Sequence, residues 1–307
     1  MVVTAWSSTS RPLTQLEAAL AARLHEAGWP LVTPYGLFHE LRSLYISGLR
    51  LRQRKFLPDT DDLRYRRRNL VRADILMLDP DYGHRAYRIL ANSDRPAEEI
   101  CCLVDRFCYV AHLSAMARYG LTDRRPKALH LRTPERGLAR KLLSEAMIED
   151  YGESNLKELE EHQILRPQAI AHPDTVRNRP LAIFRTAHPG HSLPIRGTHA
   201  RIATIGQTFV DMLEEPEACG GMAHVLEVWR AHAELYFEDI IAAIESTPSA
   251  IIKVRAGYIL NEYLGLTDQR VEAWIRYAQR GGSRRLDPGR PFVPTHSEKW
   301  MLSLNVD

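Results

Sequence analysis

Between residues 42 and 72 the chain carries ten Lys or Arg against three Asp, although the whole protein has a net charge of only +3. Such a local excess of cation has to be accommodated on a solvated surface. The end of the stretch, Asp59-Thr-Asp-Asp-Leu-Arg-Tyr-Arg-Arg-Arg-Asn-Leu-Val-Arg72, is predicted as a helix. At about 100° per residue, Leu63, Leu70 and Ala73 share one side, and Arg64, Tyr65, Arg68, Asn69 and Arg72 share the other. Asp59, following Pro58, supplies an N-cap. Asp61 and Asp62 complement the free amides and dipole of the first turn.

Two helices with clear boundaries precede it. Thr14 and Glu17 form a capping box, Leu13 a staple, Leu16, Leu20 and Leu24 an inward stripe, and Gly28 with Pro30 a stop. Thr33 caps the second, with Pro34 at its first position, Leu37, Leu41 and Leu44 inward, and Gly48 as its end. After the arginine helix, residues 75–78 and 85–90 read as two strands around the turn Asp79-Pro-Asp-Tyr-Gly83.

Three helices and a hairpin, in that order, predict a winged helix-turn-helix over residues 1–95. The third helix would enter the major groove and the hairpin, tipped by His84 and Arg85, would lie along the backbone or minor groove. The DNA-binding set is then Arg64, Tyr65, Arg67, Arg68, Asn69 and Arg72 on the helix, His84 and Arg85 on the hairpin, and Arg50, Arg52, Arg54 and Lys55 in the intervening loop. Arg can read guanine and Asn adenine through paired hydrogen bonds, while the loop cations suit phosphates. The segment 48–58 is longer than a minimal turn and reads as a basic arm or an insertion.

At 307 residues and 45% hydrophobic content the chain is long enough for two or three domains. A polar cluster at 92–96 suggests a boundary, giving a second domain over 96–280 and a tail over 281–307. The expected class is α+β: a winged helix-turn-helix, then a mixed α/β, mainly helical domain. Cys101, Cys102, Cys108 and Cys219 lack CxxC spacing and fit a reducing compartment. The absence of a long apolar run and of a signal-peptide pattern points to the cytoplasm and away from membranes.

In the second domain, Cys101, Val104, Phe107, Cys108, Ala111 and Ala115 predict one helix over 98–119. Residues 127–131, 164–171 and 181–184 read as strands, with a charged helix over 135–150 between the first two. Helices are predicted over 204–213, 222–229, 236–244, 251–264 and 268–279.

Two blocks here resemble a known family. Ala111-His-Leu-Ser-Ala-Met-Ala-Arg-Tyr-Gly-Leu-Thr-Asp-Arg-Arg-Pro126 and Ile202-Ala-Thr-Ile-Gly-Gln-Thr-Phe-Val-Asp-Met-Leu-Glu-Glu-Pro-Glu-Ala-Cys-Gly-Gly221 are similar to elements of the AbiE-type (AbiEi) antitoxins, the regulators of type IV abortive-infection toxin-antitoxin operons. Val254-Arg-Ala-Gly-Tyr-Ile-Leu260 resembles the helix that follows. The likeness covers roughly residues 100–265. It departs at Gly206-Gln207, where the family usually has a charged pair.

The resemblance implies an N-terminal domain that binds inverted repeats in its own promoter as a transcriptional repressor, and a C-terminal antitoxin domain that counters a nucleotidyltransferase-type toxin. Direct contact with that toxin is left open. Arg124, Arg125, Lys127, Arg132 and Arg136 form a possible second basic surface toward RNA, nucleotide or toxin, or simply a solvated loop. No catalytic residue, metal or cofactor is implied, and the motifs read as packing positions. The alternatives are a winged-helix regulator without a toxin, and a metal-dependent nuclease built on His188 and His191 or on Asp74 and Asp79. For the latter class there is no HExxH, GxSxG or phosphate-binding Gly-rich loop.

Overall fold

The computed structural model describes residues 12–47, 57–152, 165–279 and 284–306. It is mixed α and β, and it divides into two compact units, Met1–Arg106 with Glu135–Asn178, and Phe107–Pro134 with Arg179–Asp307. The sequence suggests boundaries after Arg95 and Arg280; the compact units change after Arg106, Pro134 and Asn178. Asn92, expected to open a linker, donates from Nδ2 to the carbonyls of Leu24 and Trp29 at 3.1 and 2.8 Å.

The first unit begins with α1 (Gln15–Glu26), β1 (Leu31–Val32), α2 (Pro34–Ile46) and α3 (Thr60–Arg72), followed by β2 (Leu76–Asp79), β3 (Gly83–Ile89) and α4 (Ala97–Val104). The capping residues act as the sequence indicates. Thr14 and Glu17 close a reciprocal box on α1, Thr33 Oγ1 accepts from the Gly36 amide on α2, and Asp59 accepts from the amides of Asp61 and Asp62 on α3. The strands are antiparallel in the order β1-β3-β2. Leu16, Leu20, Leu24, Leu37, Leu41, Leu44, Leu63 and Leu70 meet Leu76, Tyr87 and Ile89 in one core. Each such leucine removed from water stabilises the unit by about 2 kcal/mol.

Along the chain then come β4 (Tyr109–Val110), α5 (His112–Arg118) and β5 (Leu129–Pro134) of the second unit, and α6 (Arg136–Tyr151) and β6 (Thr175–Val176) of the first. Tyr151, at the end of α6, enters the first unit's core. The Arg42 guanidinium lies 5.0 Å from its ring centroid and the Tyr35 ring meets it edge-on. Residues 165–173 are irregular, where a strand is expected over 164–171. Pro167, which lacks an amide donor, opposes a ladder there.

The second unit continues with β7 (Arg179–Thr186), β8 (Ser192–Pro194), β9 (Arg201–Ala203), α7 (Ile205–Glu214), α8 (Met222–His232), α9 (Phe237–Ser246), α10 (Ala250–Tyr258) and α11 (Gln269–Ala273). Its strands run β7-β5-β4-β9-β8, with β5 parallel to β7, β4 parallel to β9, and β4-β5 and β8-β9 antiparallel. Phe209, Trp229, Ile240, Ile244, Val254 and Leu260 lie in the helical core.

The helix expected over 98–119 is broken into α4, β4 and α5. Cys101, Cys108, Ala111 and Ala115 are all buried, so their apolar pattern mimics one continuous face. Pairing of Val110 with Leu131 and Ile202 holds the middle extended. The helix expected over 251–264 ends in a wider, π-type turn at Ile259–Tyr263. The expected tail is part of the second unit: Leu286, Trp300 and Leu302 are in its core, and β10 (His296–Ser297) pairs with β11 (Leu302–Ser303).

Candidate nucleic-acid interface

On α3, Leu63 and Leu70 are buried while Asp61, Arg64, Tyr65, Arg68, Val71 and Arg72 are exposed. On a helical projection these six occupy an arc of about 120°, and Arg68 lies at its middle. Arg64 and Arg72, two turns apart, are separated by about 12 Å along the axis. Arg64 Nη1 pairs with Asp61 Oδ1 at 2.9 Å, an exposed contact of small energetic weight. Arg68 and Arg72 have no carboxylate partner among the described residues. Tyr65 adds an aromatic edge, 39% exposed.

Two residues of α3 turn the other way. Asn69 Nδ2 donates to Glu17 Oε1 at 2.7 Å, and Arg66 Nη1 donates to Glu17 Oε1 and Thr14 Oγ1 at 3.1 Å each. Glu17 is only 2% exposed. Burial pushes its carboxyl up, but the bonds from Asn69, Thr14 and Arg66 outweigh that and hold it below the usual range. Asn69, expected to read a base, is thereby committed to the α1–α3 junction. Arg67 is half-buried with its guanidinium 5.2 Å from the Tyr87 ring centroid, which makes it a packing residue as well as a cation.

At the hairpin, His84 is exposed as expected. Arg85 is exposed too, but its head is engaged: Nε donates to the Tyr82 carbonyl at 3.2 Å and Nη1 to the Ala171 carbonyl at 2.8 Å. Expected at the DNA-facing tip of the hairpin, Arg85 has its head held by two backbone carbonyls, because returning chain at 171–177 covers the hairpin turn. Sequence periodicity carries no signal of that cover, since it comes from about 90 residues downstream. Arg50, Arg52, Arg54 and Lys55 lie outside the described residues.

The second basic cluster is only partly assembled. Arg124, Arg125 and Lys127 are exposed, and Arg124 Nη1 donates to the Gly220 carbonyl at 2.8 Å. Arg136 begins α6 in the first unit. Arg132 is 3% exposed and is not a surface cation. Its Nη1 meets Asp211 Oδ1 at 2.6 Å and its Nη2 meets Glu214 Oε2 at 2.7 Å. It projects from an inner strand between β4 and β7 that is buried along nearly its whole length, so both of its faces are covered. Gln207 Nε2 also donates to Asp211 Oδ1, at 2.8 Å, and so joins this buried network. A Cβ on the neighbouring Gly206 would lie 2.1 Å from the Asp239 carbonyl oxygen, so α7 can approach α9 this closely only with glycine there.

Beside the network lies His112, fully buried at a positive φ of 48°, its ring 4.2 Å from that of Phe184. Burial, with Arg132 and His130 nearby, pushes its pKa down to about 2. Burial pushes Asp211 up to about 6, against the opposing pull of Arg132 and Gln207.

His188 and His191 are exposed, and no group of three or more His, Cys, Asp or Glu suited to a metal ion occurs among the described residues. Asp79, weighed above as a nuclease carboxylate, is buried with both oxygens in hydrogen bonds. Among the described residues no helix is long and apolar enough to cross a membrane.

No family model matches this chain, and no curated protein matches it. Among solved structures, the crystal structure of the RV2827C protein from Mycobacterium tuberculosis is similar over 98% of this chain and 94% of that one, at a TM-score of 0.45 and 14% identity.

Proposed function

We propose that the first unit is a winged helix-turn-helix that binds duplex DNA, with α3 in the major groove, and that the protein is an autorepressor of its own promoter. The observation that carries this reading is the exposed arc of α3. Three arginines spaced one turn apart project from a helix whose opposite side is fixed by Leu63, Leu70 and the Glu17 junction. Arg68 at the centre suits a guanine edge, and Arg64 and Arg72 flank it toward bases or phosphates. His84 extends the surface along the hairpin. The role proposed for the second unit, antitoxin against a nucleotidyltransferase-type toxin, rests on the resemblance of its two sequence blocks to AbiE-type proteins.

The test is a gel-shift titration on the protein's own upstream DNA against a scrambled duplex, at several salt concentrations. Specific binding is expected, with a slope of log K against log salt near −5 if about six phosphates are neutralised. Equal, weak binding to both duplexes, with a slope near zero, would refute the reading. Co-expression with the adjacent gene product separates an antitoxin from a regulator without a toxin, by whether growth is protected.

A further inference from the structure

The hairpin turn of the first unit carries carboxylates where a DNA-facing wing would meet phosphates. Asp79 and Asp81 lie in the turn and Asp94 follows β3, three negative charges in one small region. All three converge on one guanidinium. Arg177 Nη2 donates to Asp79 Oδ2 at 2.6 Å, Nη1 pairs with Asp81, and Nε donates to Asp94 Oδ1 at 3.0 Å. The Arg177 amide also donates to Asp81 Oδ2 at 3.1 Å. Arg88 Nη2 adds a second cation, 3.3 Å from Asp94 Oδ2.

The fit is specific in shape as well as charge. Arg177 and Asn178, at φ of 49° and 60°, are the two left-handed residues of the tight turn between Val176 and Arg179, and that turn places the Arg177 side chain and amide together on the acidic cluster. The same returning segment holds the turn twice more: the Tyr82 hydroxyl bonds His172 Nδ1 at 2.7 Å, and Arg85 donates to the Ala171 carbonyl. Asp79 in turn accepts from the amides of Asp81 and Tyr82 and so shapes the turn itself.

Resting on the DNA-binding reading above, we propose that Arg177 is a positioning residue of the DNA interface: it neutralises the acidic hairpin turn and fixes its shape so that the hairpin can lie against the phosphodiester backbone. Without it, Asp81 and Asp94 would present uncompensated charge toward the same phosphates that α3 attracts, with Asp79 left unpaired beneath them, and like charges at an interface both slow and weaken association. The DNA-binding unit then includes a residue about 80 positions beyond the 1–95 segment that holds the helices and hairpin.

The experiment uses the full-length protein and fluorescence anisotropy with its own upstream duplex and a scrambled one. Arg177→Ala is expected to weaken binding about tenfold or more, and Arg177→Ala with Asp81→Asn to regain a good part of the loss. Asp94→Asn, at the exposed edge of the cluster, is expected to tighten binding about threefold at low salt, with the gain fading as salt rises. A loss in Arg177→Ala that Asp81→Asn does not relieve overturns the proposal, as does wild-type affinity in either single variant. Should Arg177→Ala not fold, Asp94→Asn decides alone. If the wild-type protein fails to distinguish the two duplexes, it is the DNA-binding reading that falls. That result is separate from one in which wild type binds specifically and these variants do not respond.

Discussion

Asn69 of α3 donates a 2.7 Å hydrogen bond to Glu17 of α1, and with buried Leu63 and Leu70 this bond sets which way the arginine helix faces. Glu17 also receives Arg66 and caps its own helix through the Thr14 amide. One buried carboxylate thereby satisfies donors from two helices and leaves Arg68 at the centre of the solvent face.

Glu17→Gln should therefore destabilise the first unit by about 3 kcal/mol, since it leaves Arg66 without its anion in a largely buried position. The sign with pH follows from the lowered carboxyl. The folded state holds Glu17 ionised below the value of the unfolded chain, so its stabilisation is complete at neutral pH and is lost as pH falls through the folded pKa. Urea unfolding of wild type and variant should converge on acidification; a constant gap from pH 7 to 3 would contradict this.

Arg68→Ala should leave the melting temperature within a degree or two of wild type, because its side chain is exposed without an ion partner among the described residues, while weakening specific DNA binding by about 1 to 3 kcal/mol. Arg64→Ala with Arg68→Ala should weaken it further. Leu70→Ala is the converse control, expected to cost about 2 to 5 kcal/mol of stability. Arginine variants that unfold would show that these side chains are structural.

Gly257→Ala tests whether the C-terminal segment is built into the second unit. A Cβ there would come within 2.1 Å of the Trp300 ring, and Trp300 is fully buried. Overpacking of this kind costs about 1 to 3 kcal/mol. Pairing the change with Trp300→Leu should recover part of the loss. Full tolerance of Gly257→Ala would mean that Trp300 does not pack on α10 in solution.

His112 and Asp211 titrate with opposite consequences. Below pH 6.5 the unfolded chain protonates His112 and the folded one does not until about pH 2, so stability falls with pH by up to about 1.4 kcal/mol per unit. Asp211 takes up its proton near pH 6 when folded and only near 3.8 when unfolded, which offsets the loss between those values. His112→Asn, which tolerates the left-handed backbone, should remove the first effect alone. Its stability relative to wild type should rise steadily as pH is lowered from 6.5, and a difference independent of pH would contradict the assignment.

Much of the first unit was legible in the chain. Thr14, Glu17, Thr33, Pro34, Asp59 and Asp62 announce helix starts because caps act within four residues. The leucine stripes announce which side is buried because the helical repeat is local. The second unit was less legible. The apolar pattern from Cys101 to Ala115 has the same period whether it is one helix or two helices around a strand, and only the pairing of Val110 with Leu131 and Ile202 decides between them. Arg132 reads as a surface cation until Asp211 and Glu214, about 80 residues away, are brought beside it.

The sequence by itself determined the starts of α1, α2 and α3, the hairpin and the concentration of positive charge on α3, since each depends on dihedral preference, capping or periodicity within a few residues. The tertiary structure alone decided that Asn69 turns inward to Glu17, that Arg132 is buried, and that Arg177 closes the acidic turn of the hairpin. Those outcomes pair charges and hydrogen-bonding groups far apart in the chain. No local preference encodes such partners; they are chosen when burial makes an unpaired polar group too costly to leave.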